Sequence, residues 1–172
     1  QVAKFHAAAD AASNAQPFGS AYAVFFPMMQ NFEQIRALVP SRLGQLAPIE
    51  QWTGLQQQRL AGRIDARRRH GRVRECHGDL HLGNVALIDS EAVVFDAIEF
   101  NPDFRWIDVI NDIAFMTMDL RQRLGRDAAS RFLNSYLAIS ADFDGLALLK
   151  LYEVYRALVR AKIAAIRFCQ LE

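Results

Sequence analysis

Apolar residues recur at helical spacing through most of the chain. Residues 2–13 follow it, and Pro17 and Gly19 then interrupt. The aromatic stretch at 22–26, YAVFF, fits either a short strand or a buried turn. Residues 31–39 return to a helical rhythm through Phe32, Ile35, Leu38 and Val39, and Pro40 ends it. From 49 to about 70, Trp52, Leu55, Leu60 and Ile64 form a narrow apolar stripe, with glutamine and arginine filling the remaining, solvated side.

The texture changes at Arg72. Val73 and Cys76 lead into HGDLHLGN, after which VALI and AVVFD form two short apolar runs separated by Asp89, Ser90 and Glu91, the pattern of a small hairpin. The second run ends at Asp96. Pro102 makes AIEFNPDFRW a loop instead of a continuing strand. Helical periodicity resumes at Ile107 with Ile110, Ile113, Ala114 and Met118 on one face, breaks at Gly125, and returns over 126–138 and 146–168. The expected fold is mainly α with one small β hairpin. No repeat or Gly/Pro-rich linker divides the chain, so residues 1–172 read as one domain.

Composition narrows the class. With 52% hydrophobic and 23% charged residues the 172-residue chain is globular, and a net charge of +1 creates no global field for nucleic acid or an anionic membrane. No apolar run is long enough to span a bilayer. The two cysteines, Cys76 and Cys169, lie in no metal or disulfide pattern, so they read as reduced thiols of a cytoplasmic protein. The chain opens on Gln1, already inside a helical pattern, and is expected to be part of a longer protein.

The chemistry concentrates in residues 77–96. Within HGDLHLGN, polar groups alternate with apolar spacers, and Asp96 follows Asn84 by twelve residues. A hairpin returns the chain to the level at which it left, so Asp79, Asn84 and Asp96 can converge. Two carboxylates and an amide oxygen are hard donors suited to Mg²⁺, which takes one or two protein carboxylates together with waters and phosphates. That set points to phosphoryl transfer.

HGDLHLGN resembles the catalytic loop of the aminoglycoside phosphotransferase and choline kinase family, relatives of the protein kinases, whose own version is H-R-D-L-x-x-x-N. Asp96, in VVFDAIEFN, stands where that family carries its metal-binding aspartate. The continuation AIEFNPDFRWIDVINDIAFMTMDL is similar to a bacterial branch often fused to a P-loop ATP-binding domain. The resemblance implies the C-terminal lobe of a protein-kinase-like fold, with catalytic loop 77–84 and metal-ligand hairpin 85–96. It implies a kinase using ATP and Mg²⁺ to phosphorylate a hydroxyl of a small molecule, with Asp79 as base and Asn84 and Asp96 as metal ligands. The glycine-rich loop and strand lysine of such enzymes are not in this sequence. The N-terminal nucleotide lobe is therefore expected upstream of Gln1, the isolated segment is expected to fold without turnover, and the apolar surface that lobe would cover is open to self-association.

Other residues carry narrower expectations. His81 occupies the place of a phosphate-contacting lysine and reads as catalytic or as a brace for the loop; His77 reads as a backbone brace. Glu99, three residues past Asp96, faces metal or substrate, or is a solvated acid. Asp112 is expected to hold the catalytic loop from the next helix, and Arg105 with Asp108 to form an ion pair. Arg59, Arg63, Arg67, Arg68, Arg69, Arg72 and Arg74 read as a solvated helix face, since no aromatics interleave them as in a nucleic-acid surface. Two rival functions remain: a non-catalytic kinase-like binding module, and a metal-dependent phosphoesterase, which four histidines supply poorly.

Overall fold

The computed structural model describes residues 1–40 and 43–170. Helices dominate: α1 (Val2–Ala8), α2 (Ala21–Leu38), α3 (Leu43–Arg69), α4 (Pro102–Arg105), α5 (Val109–Leu124), α6 (Arg126–Ser140) and α7 (Leu146–Cys169). Two antiparallel pairs accompany them: β1 (Val73–Glu75) with β4 (Trp106–Asp108), and β2 (Val85–Ile88) with β3 (Glu91–Val94). The β2–β3 hairpin is the expected one. Its turn is only Asp89–Ser90, both with positive φ, as a two-residue turn matched to strand twist requires.

The β1–β4 pair is absent from the periodicity. Ile107 belongs to β4, and the helix begins two residues later, where the Asp108 carboxylate accepts from the Ile110 N–H and caps it. The loop expected over AIEFNPDFRW likewise holds the short helix α4. At the N-terminus α1 stops at Ala8, and Ala11 instead bridges to Arg74. Residues 22–26 are neither strand nor turn: they begin α2, capped by Ser20, and the helix runs through Pro27. α3 likewise starts before Pro48 instead of after it.

Helix α5 is the central post. Every residue from Val109 to Thr117 is buried, so it is enclosed on all sides, with α6 and α7 packed against it. The core gathers Ile110, Ile113, Leu148, Leu151 and Tyr152 with Phe25 and Met28 of α2 and Ile64 of α3. Among the described residues no helix is long and apolar enough to cross a membrane.

The arginine cluster departs from a solvated face. Arg67 is buried and bonds two acids at once, Asp108 through Nε and Nη2 at 2.7 and 2.9 Å and Asp142 through Nη1 and Nη2 at 2.8 and 2.7 Å. Burial alone would lower its pKa, but the hydrogen bonds and charges of Asp142 and Asp108 outweigh that and raise it. Arg68 donates to the carbonyls of Asn14 and Gln16, and Arg74 to those of Ala7 and Ala9. Arg68 of α3 and Arg74 of β1 thereby tie the N-terminal segment to the core. The Arg105–Asp108 pair does not form: Arg105 meets Glu75 at 2.9 Å, and Asp108 belongs to Arg67.

Candidate functional site

The HGDLHLGN loop crosses from β1 to β2 over the N-terminal half of α5. Gly78 has φ +83, and a Cβ there would stand 2.6 Å from the Phe104 carbonyl oxygen, so only glycine lets the chain pass. At the next residue the structure tightens around Asp79. The Asn84 amide nitrogen donates to the Asp79 carbonyl at 3.0 Å and to its Oδ2 at 3.1 Å. Both partners are acceptors, so the nitrogen must face Asp79 and the amide oxygen must point away. That oxygen makes no hydrogen bond among the described residues.

His81 completes the cradle. Its Nδ1 accepts from the Gly83 N–H at 2.9 Å, so the proton sits on Nε2, which lies 3.3 Å from Asp79 Oδ2. The ring stands edge-on to Phe115, 5.0 Å between centroids. With both nitrogens engaged inside the loop, His81 braces Asp79. His77 is a backbone brace as expected: Nε2 donates to the Phe95 carbonyl at 2.8 Å, and Nδ1 accepts from the Asp79 N–H.

Asp112 holds the loop from beneath. Fully buried, it accepts from the N–H of His77 at 3.2 Å and of Gly78 at 2.9 Å, and pairs at 3.0 Å with Nε2 of His6, whose Nδ1 meets the Tyr136 hydroxyl at 3.0 Å. Burial would raise its pKa, but the His6 hydrogen bond and the charges of His6, Arg156 and His77 hold it below the ordinary carboxylate range.

Three further residues, unremarked in the sequence, serve the same loop. Asp119, also fully buried and two turns beyond Asp112 on α5, accepts from the Leu82 N–H at 3.0 Å, and Arg123 and Arg160 neutralise it. Arg156 of α7 donates to the Gly78 carbonyl at 2.9 Å and to Asn111. His6, from the start of the chain, fixes Asp112. None has a local signal, because the loop or brace residue each one holds, Leu82, Gly78 or Asp112, lies more than thirty residues away.

Asp79 opens onto a cleft of about 480 Å³ whose other wall is Asp96 to Phe100, including Glu99. Asp96 is exposed and makes no hydrogen bond or ion pair among the described residues; it holds φ +61, a left-handed conformation rare outside glycine, asparagine and aspartate. The Phe95 N–H bonds the Asn84 carbonyl at 3.0 Å and ties this wall to the loop. The structure thus brings all seven expected residues into one neighbourhood: Asp79, Asn84 and His81 bonded together, Asp96 and Glu99 across the cleft, and His77 and Asp112 below.

The side chains lining the cleft offer carboxylate oxygens, from Asp79 with one oxygen free, Asp96 and Glu99, and Asn84, bonded to Asp79 through its nitrogen, adds an unpaired amide oxygen from the same loop. That set fits a hard cation which brings waters and phosphates of its own. Among the described residues, the acids and histidines of the cleft do not form a closed set of three ligands; the set within 4.8 Å is His6, Cys76 and Asp112. That buried trio is a hydrogen-bonded brace. Both His6 nitrogens are engaged, and burial pushes the Cys76 thiol well up, so it stays protonated, 3.5 Å from the Ile107 carbonyl.

No family model and no solved structure matches this chain. It is similar to three mycobacterial proteins, the uncharacterized proteins Rv2004c and MT2060 of Mycobacterium tuberculosis and Mb2027c of Mycobacterium bovis, each 37% identical over 111 residues. The match takes in 64% of this chain and 22% of each relative, so the chain spans about a fifth of their length.

Proposed function

We propose that this chain is the catalytic lobe of an aminoglycoside phosphotransferase-like kinase, transferring the γ-phosphoryl group of ATP to a hydroxyl of a small molecule. One observation carries the reading: the Asp79 carboxylate, held on one oxygen by Asn84 and His81, presents its other oxygen to a cleft faced by Asp96 and Glu99. That free oxygen would accept the hydrogen bond of the acceptor hydroxyl and take its proton late in a loose transition state, where positioning supplies most of the acceleration. The Asn84 amide oxygen and Asp96 would hold Mg²⁺, which when bound neutralises charge on the phosphate oxygens. His81 orients the base, and Asp112, Asp119 and Arg156 keep the loop from relaxing.

The test uses the full-length protein with Mg·ATP and a panel of small alcohols. Asp79→Asn keeps the hydrogen bond from Asn84 through its own carbonyl oxygen but cannot take a proton, and should lower phosphoryl transfer by at least about two orders of magnitude with an unchanged fold. Transfer by that variant at the wild-type rate would overturn the reading. A wild-type protein that hydrolyses phosphate esters but transfers nothing from ATP would point instead to the phosphoesterase.

A further inference from the structure

A second cavity, of about 440 Å³, lies apart from the catalytic cleft, between the start of α2 and the segment running from α4 through β4 into α5. Five aromatic side chains border it: Phe18, Tyr22, Phe26, Phe104 and Tyr155. Tyr22, Phe26 and Phe104 are 73%, 49% and 41% exposed, a concentration of open aromatic surface that a soluble domain seldom keeps without a use. Aromatic walls enclosing a few fixed polar groups are the usual construction of a small-molecule site.

The polar group at the floor is Asn111. Only 4% of this residue is exposed, and its orientation is not arbitrary. Arg156 Nε donates to the Asn111 side-chain oxygen at 2.8 Å, and arginine can only donate, so the amide nitrogen must point the other way. That nitrogen has no hydrogen-bond partner among the described residues, yet it is not sealed from solvent, and Asn111 lines this cavity. A buried donor is thus aimed, unspent, into an aromatic pocket. The acid beside it, Asp108, is consumed by Arg67 and the Ile110 N–H, whereas Asp103 stands exposed at the rim with a free carboxylate. The rim therefore disfavours anions.

We infer that this cavity is a binding site for a small, flat aromatic molecule carrying a neutral carbonyl, of the aromatic carboxamide class, whose oxygen accepts from the Asn111 amide. The site has a short path to the chemistry, since the arginine that orients Asn111 also donates to the Gly78 carbonyl in the catalytic loop. It is separate from the phosphoryl-transfer cleft, although neighbouring stretches of one segment line the two: Asp96 to Phe100 the cleft, and Asn101, Asp103 and Phe104 the cavity.

Trp106 supplies the readout, because it stacks on Phe18 with ring centroids 5.8 Å apart. The chain has two tryptophans, so Trp52→Phe leaves Trp106 as the sole reporter. Benzamide titrated into that protein should change Trp106 emission saturably in about the millimolar range or tighter, as a fragment of its size can achieve. Benzoate should bind at least about tenfold more weakly. Asn111→Asp keeps an acceptor for Arg156 but turns the donor into an acceptor, so benzamide should weaken at least about tenfold while benzamidine, a cation with only donors, gains. Ala23→Phe, at an exposed position on the rim, should block the probe without touching the core. If Asn111→Asp fails to fold, this second variant carries the test. The inference is overturned by no saturable response to benzamide, by equal binding of benzoate, or by unchanged benzamide affinity in Ala23→Phe. None of these readouts depends on phosphoryl transfer, so the two proposals fail separately.

Discussion

Asp112 is the residue on which loop geometry and stability depend together. It accepts hydrogen bonds from two buried backbone N–H groups, His77 and Gly78, and from the His6 ring, with no solvent to replace it. Asp112→Ala orphans all three donors. At about 1–3 kcal/mol for each buried unsatisfied group the loss is roughly 3–9 kcal/mol, comparable with the 5–15 kcal/mol that holds a domain together, so this variant should barely fold. Asp112→Asn is the informative change. It retains one oxygen for one backbone N–H, sets its own NH₂ against the other, and can still satisfy His6 if that ring changes tautomer. The cost is one donor facing a donor, roughly 1–3 kcal/mol, which at a urea slope of about 1–3 kcal/mol/M moves the midpoint down by on the order of 1 M. Acid provides the control. A carboxyl whose pKa is lowered by folding contributes stability that is complete above its unfolded value, about 3.9, and is lost as pH falls through the folded value. The gap between wild type and Asp112→Asn, measured by urea unfolding under circular dichroism, should therefore be largest near pH 7 and narrow below about pH 4. Equal midpoints at pH 7, or a gap that does not change down to pH 3, would refute the argument.

Two more outcomes follow from single residues. Arg67→Met leaves Asp108 and Asp142 buried without their cation and should cost about 3–5 kcal/mol in the same unfolding assay, whereas a loss under 1 kcal/mol would mean that water reaches the acids. Asp96→Gly relieves a left-handed backbone worth about 1–2 kcal/mol, offset in part by the freer unfolded chain, so thermal stability should hold or rise slightly while phosphoryl transfer collapses. Loss of stability together with activity would make Asp96 a structural turn residue.

The site was legible in the sequence where its contacts are short. Asp79 meets His81 and Asn84 two and five residues away, so the register of HGDLHLGN already contains the cradle, and the paired apolar runs with Asp89 and Ser90 between them contain the hairpin. Periodicity also gave α5 to α7, since each presents a broad apolar face at helical spacing. It misled at 22–26, where Tyr22 and Phe26 are exposed on the first turns of α2 and the apolar pattern follows the cavity they border instead of the core.

What tertiary structure alone decided is the identity of partners. A sequence displays Arg67 among six other arginines with nothing to distinguish it, and only the fold brings Asp108 and Asp142, 41 and 75 residues away, to bury it. His6 and Asp112 are 106 residues apart, Arg156 and Gly78 are 78, and the β1–β4 pair joins two three-residue segments too short to carry a period. Residue type and local spacing determine which groups can do chemistry. Holding those groups still takes buried hydrogen bonds between distant segments, and these exist only once the helices have packed around α5.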